Sequence, residues 1–185
     1  MVRVLATVAS IFMLLAGPAA GQEGNPAFMT PDTGPKQPNN TDRVFVHAAA
    51  LGGMAEVELG KLAEQRSQND AVKEFARRMV DDHSKANDRL IGLAKENGIA
   101  VPKEVDEEHK AMRQRLTTAN GAEFDLAYLQ GQVIEHQKTV QLLEYEIGSG
   151  QDTDLKSVAA EILPIVLQHL RAAQALQAEM TGKAL

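Results

Sequence analysis

From Asp42 onward the apolar residues recur every three or four positions, and no stretch alternates with period two. That pattern predicts amphipathic helices and no sheet. The first helix is expected over about 42–67, with Thr41 or Asp42 as its cap, and stops at Ser67-Gln68-Asn69. The second covers about 70–97, capped by Asn69 or Asp70, and ends at Asn97-Gly98, where glycine suits the left-handed closing residue. A connector over 98–120 holds Val101-Pro102 and a short polar helix from about Lys103 to Thr118. The third long helix starts at Asn120-Gly121, with Glu123 placed for a capping box, and ends at Gly148-Ser149-Gly150. The fourth runs from near Asp152 to about Met180. Pro164 falls inside it and predicts a kink, because its ring removes the bond to the Ala160 carbonyl.

Four long helices joined short, long, short predict a four-helix bundle. The connector is long enough to cross the bundle end to end, so the second and third long helices should run parallel, as in ferritin-like folds. The expected class is therefore all-α, a ferritin-like four-helix bundle over 42–182 with a long crossover connector carrying a short extra helix.

Ahead of the bundle the pattern changes. Met1-Val2-Arg3 gives a positive start, Val4 to Gly17 is an apolar run, and Pro18-Ala19-Ala20-Gly21 follows. This is the order of a secretory signal peptide, and the run falls short of the ~20 residues that span a bilayer. Cleavage is expected after Gly21, leaving no stable membrane anchor and a periplasmic or secreted protein. Residues 22–41, with four prolines and two glycines, read as a flexible Pro/Gly/Asn-rich linker.

Composition narrows the chemistry. The 185 residues are 44% hydrophobic and 4% aromatic, enough for a core packed by Leu, Ala, Val and Met. With 19 basic against 25 acidic residues the net charge is −6, and it becomes −7 once Arg3 leaves with the signal peptide. No phosphate-neutralising excess exists, so nucleic acid is not an expected partner. The absence of cysteine excludes disulfides, Fe–S clusters and thiolate zinc sites. No phosphate-cradling glycine loop, nucleophile elbow or His-Glu-x-x-His occurs, and no catalytic residue is assigned.

Polar residues on the apolar stripes are the informative feature. The second helix reads Val72, Phe75, Met79, His83, Ala86, Leu90 and Leu93 along its seam. The third reads Leu126, Leu129, Val133, His136, Val140, Leu143 and Ile147, and the fourth Leu155, Val158, Ile162, Ile165, His169, Ala173, Leu176 and Met180. The first presents Phe45, Ala48, Gly52, Ala55, Leu59 and Leu62, with Glu56 at the border and Glu58 competing for it. Glu56, His83 and His136 sit near helix midpoints, which share one height whichever way a helix runs, and His169 lies about a turn past the middle of its helix. One carboxylate and three imidazoles, Glu56, His83, His136 and His169, can then meet in a single layer. Imidazole and carboxylate suit one divalent transition metal ion, Zn, Mn, Fe or Cu. Asp82 and Glu135, each preceding a histidine, are candidates to orient the rings. The alternative is a hydrogen-bonded polar layer, with Gln132 or Asn87, that fixes helix register. Met79 and Met54 read as packing, His47 and His109 as solvated, and Asp106-Glu107-Glu108 as an exposed face.

The segment Gly53-Met54-Ala55-Glu56-Val57-Glu58-Leu59-Gly60-Lys61-Leu62-Ala63 resembles the opening motif of an exported bacterial family, "domain of unknown function 4142". The resemblance continues through Val72 to Ala76, Met79 to Asn87, Gly121 to Asp125 with Tyr128, Glu135-His136, and Leu163-Pro164 leading to His169-Leu170. It implies a ferritin-like fold and an exported protein, and no established activity. Di-iron bundles need a Glu-x-x-His on each of two helices. Three residues before the histidines this chain has Val80, Val133 and Val166, so at most a mononuclear site is expected. Two readings follow: a non-catalytic module of envelope maintenance or stress response that works through a protein partner or as a homo-oligomer, or a mononuclear metal-binding bundle.

Overall fold

The computed structural model describes residues 37–182. The expected signal peptide, 1–21, and the linker up to residue 36 lie outside the described residues. Five helices follow in order: α1 Asn40–Arg66, α2 Asp70–Glu96, α3 Glu107–Thr118, α4 Gly121–Ser149 and α5 Thr153–Thr181. No strand occurs among the described residues.

Side-chain caps set most of the helix starts. Asn39 Oδ1 accepts from the Asp42 amide at 3.0 Å while the Asp42 carboxylate accepts from the Asn39 amide at 2.6 Å, a reciprocal capping box. α1 therefore begins two residues earlier than expected, with Asn39 as cap, and the end of the anticipated linker is helical. Asn69 caps α2 and Asp152 caps α5. The α3 cap is Asp106, which accepts from the His109 amide at 3.0 Å and delays that helix from Lys103 to Glu107. The capping box expected at α4 does not form. Asn120 Oδ1 accepts from Arg66 Nη2 at 2.9 Å instead, and the same guanidinium donates to the carbonyls of Thr117 and Ala119, each at 2.8 Å.

Those contacts reveal the directions. Arg66, the last residue of α1, meets the start of α4, while Asn39 at the start of α1 donates to Ser149 O at the end of α4 at 2.9 Å. α1 and α4 are thus antiparallel. α1 packs chiefly on α2 and α4 chiefly on α5, with α1 against α4 and α2 against α5 closing the bundle. As α1 and α2 also form a hairpin, α2 and α4 run parallel, and the connector carrying α3 travels the length of the bundle. This is the sense of connection expected of a ferritin-like bundle. α1 and α2 approach closely at Gly60, where a Cβ would lie 2.8 Å from Val80 Cγ2.

The apolar core falls into two clusters. One gathers Leu59, Ala63, Val72, Phe75, Met79, Phe124, Tyr128, Leu129 and Ala173, with Met112 and Leu116 of α3. The other gathers Phe45, Val46, Ala50, Leu90, Ala94, Leu143, Leu155, Ala159 and Val166. Along every long helix the sequence passes from one cluster to the other, and the candidate residues lie in the gap. The seam of α5 differs by one position from expectation: Val166 is buried, and Ile165 stands 41% exposed. Neighbouring positions lie about 100° apart on a helix, so the seam turns one of them inward and not both.

Candidate metal centre

The three histidines meet. Their ring centroids form a nearly equilateral triangle, 5.5 Å from His83 to His136, 5.6 Å from His83 to His169 and 5.4 Å from His136 to His169. Each ring offers one ligand nitrogen, and these nitrogens lie within 4.8 Å of one another. His136 and His169 are buried, whereas His83 keeps part of its side chain accessible.

Hydrogen bonds decide which nitrogen His136 and His169 present. His136 Nδ1 lies 2.9 Å from the Gln132 carbonyl, which only accepts, so the proton sits on Nδ1 and the lone pair on Nε2. His169 Nε2 donates to Asp82 Oδ2 at 2.9 Å, leaving the lone pair on Nδ1. The nitrogens without a hydrogen-bond partner are His83 Nε2, His136 Nε2 and His169 Nδ1, all buried. Burial, followed by repulsion from the neighbouring rings, pushes His83 down to about 3. Burial, then His169, pushes His136 down to about 4, and burial also lowers His169 against the pull of Asp82. All three rings are neutral at neutral pH, with lone pairs free.

Glu56 lies beside the trio rather than within it. Glu56 is buried and Glu58 exposed, which settles the competition between them. Glu56 Oε2 accepts from Gln132 Nε2 at 2.6 Å, and Oε1 stands 3.7 Å from His136 Nδ1. Burial pushes the Glu56 carboxyl up to about 8, despite the Gln132 bond, so it carries a proton at neutral pH. The Tyr128 hydroxyl, raised by burial and then by Glu56, completes a polar line with Gln132 and His136 at four-residue spacing on α4.

The expected orienting residues divide. Asp82 does orient a ring, but on another helix: His169, not its neighbour His83. Glu135 turns away from His136 to Lys138 at 2.9 Å and His109 at 3.7 Å. Burial works against the Glu135 carboxyl, yet His109 and Lys138 hold it below the usual range. His109 is therefore not solvated: Glu135 and then Asp106, 2.6 Å from its Nδ1, push it up to about 9. A second buried polar group went unforeseen. Where α1 starts, Asp42 accepts from the amides of Gln151 and Asp152, each at 3.1 Å, with Glu146 enclosed beside it. Its signal was Glu146 on the α4 seam, between Leu143 and Ile147.

Among the described residues no helix is long and apolar enough to cross a membrane. The sequence matches the family described as Domain of unknown function (DUF4142) over residues 27–176. No curated protein matches it. The fold resembles that of a DUF305 fragment from Deinococcus radiodurans, 14% identical with a TM-score of 0.70, over 77% of this chain and 99% of that one. It also resembles a DUF305 protein from Streptomyces coelicolor described as secreted, 17% identical with a TM-score of 0.67, over 78% of this chain and 96% of that one. At such identities the likeness shows the fold alone.

Proposed function

This chain belongs to the DUF4142 family, whose description carries no activity, and from the site's geometry we propose that it is an exported bundle that binds one divalent transition metal ion through His83, His136 and His169. Two observations carry the reading: each of the three rings offers a nitrogen within 4.8 Å of the others, and each has a buried nitrogen without a hydrogen-bond partner. Buried ring nitrogens are costly to leave unsatisfied. A single cation satisfies them together. An ion with bonds of about 2.1 Å would hold tetrahedral ligands about 3.4 Å apart, so nitrogens now within 4.8 Å of one another would close in by rotamer adjustment as the ion binds. Zn, Mn, Fe and Cu all suit imidazole. Glu56 stands next to the trio as a fourth oxygen donor once deprotonated, or as a neighbour that hydrogen-bonds a bound ligand. The valines three residues before each histidine supply no bridging carboxylate, which supports a mononuclear site. Export is supported by the amino-terminal charge and apolar pattern.

The test is the metal content of untagged protein purified without chelators. About one ion per chain is expected, lost in His136→Ala while helical circular dichroism persists. No ion, with no rise in melting temperature on adding Zn, Mn, Fe or Cu, would overturn the reading. The layer would then be a structural one, and a protein partner on the outer faces would become the leading function.

A further inference from the structure

Beside the histidines lies a cavity of ≈ 50 Å³, bounded by α1, α2, α4 and α5. It abuts the trio at His83; Glu56, Glu135 and Thr139 add polar groups to its wall, and the rest is mainly apolar, including Phe45, Leu90 and Val166. No Lys or Arg lines it. The volume is several times the ~10–15 Å³ that a single water requires, so a ligand of about two to four non-hydrogen atoms fits. Asn87, one turn beyond His83 on α2, also lines the cavity, and its amide occupies the place that a Cβ on Gly53 would take. Glycine at that point therefore keeps a hydrogen-bonding amide at the cavity wall.

We infer that this cavity is the entry and binding space for a small uncharged ligand, diatomic or triatomic, that completes the coordination of the ion held by the three histidines. The inference rests on the metal-binding reading above. Three protein ligands leave a tetrahedral ion one open position, and the cavity is the empty space adjoining the trio on the His83 side. A wall without a basic side chain, and with the Glu135 carboxylate in it, penalises a buried anion, which selects neutral molecules over anions. Asn87 offers both a donor and an acceptor to the far end of the bound molecule.

Cobalt(II)-loaded full chain with nitric oxide as the probe tests this directly. Nitric oxide adds to the metal as a ligand and quenches the high-spin cobalt signal in electron paramagnetic resonance. The expected result is saturable quenching, with azide binding at least tenfold more weakly. Ala49→Leu fills the cavity from α1 and Ala86→Leu fills it from α2. Either should take up cobalt like the parent and lose nitric oxide affinity by at least tenfold, and the second variant serves if the first does not fold. Cobalt uptake without quenching, quenching unchanged in the filled variants, or azide as strong as nitric oxide would each overturn the inference and leave the metal site standing. No cobalt uptake at all would overturn both.

Discussion

The bundle buries polar groups at two places, mid-height and the end where α1 starts and α4 hands over to α5, and treats them in opposite ways. At the end, the Asp42 carboxylate is consumed by the chain itself, through the amides of Asn39, Gln151 and Asp152. Glu146 beside it is pushed up to about 8 by burial and then by its hydrogen bond with the Asp42 carboxylate, so it stays a neutral acid that donates to Asp42. At mid-height, each histidine that has a partner uses one nitrogen for it, all three rings keep a buried nitrogen without one, and the rings themselves converge. A carboxylate closed by backbone amides is a structural lock. Ring nitrogens left without a donor, two of them on rings whose tautomer a hydrogen bond fixes, fit the metal site proposed above.

Breaking the lock should have the largest effect. Asp42→Ala leaves three amides without their acceptor and should lower stability by about 3 kcal/mol, read from urea unfolding, with metal uptake unchanged. A loss of metal in that variant would show that the two regions are coupled and sink the contrast. The converse change is His83→Leu, which should leave metal-free stability unchanged or higher, because it removes a buried group without a partner. It should also abolish the metal-induced stabilisation, about 2.7 kcal/mol at a metal concentration of 100 Kd. Gly60→Ala probes the α1–α2 contact that positions Glu56 and His83 across from each other. Its Cβ would press on Val80, and a cost of about 1–3 kcal/mol is expected in thermal melts.

The pH dependence separates the buried carboxyls from the mid-height imidazoles by sign. Glu146 and Glu56, pushed up to about 8 from an ordinary 4.5, hold protons in the fold that the unfolded chain releases. Their contribution is complete below about pH 4.5 and lost as pH rises through about 8, and His109, raised to about 9, adds to the alkaline loss. His83 and His136, pushed down to about 3 and 4 from 6.5, stabilise above pH 6.5 and lose that contribution as pH falls. Metal-free protein should thus be most stable between about pH 4.5 and 6.5. Glu146→Gln should flatten the alkaline side alone, and an unaltered alkaline slope in both Glu146→Gln and Glu56→Gln would refute the assignment. The smallest effect belongs to Glu58→Ala, an exposed position that should change stability by no more than about 0.5 kcal/mol.

Much of this was legible along the chain because it is local. Periodicity near 3.6 marks a helix without knowledge of its neighbours, and the caps Asn69 and Asp152 act on amides two or three residues away. The 98–120 connector was already long enough to cross the bundle, and midpoint spacing already let the three histidines meet at one height. What stayed hidden depends on rotation and on partners distant in sequence. Glu56 and Glu58 are equivalent until Gln132, 76 residues away, bonds one of them. The partner of Asp82 is His169, 87 residues on, because α2 and α5 are adjacent, and Asp42 meets Gln151 across 109 residues. Sequence alone determined the helices, their order, the crossover and the identity of the imidazoles, since each follows from periodicity, length and residue type. Only the tertiary structure decided which nitrogen His136 and His169 present, which carboxylate turns inward and where the empty space lies, because interhelical packing sets helix rotation to within a fraction of a turn.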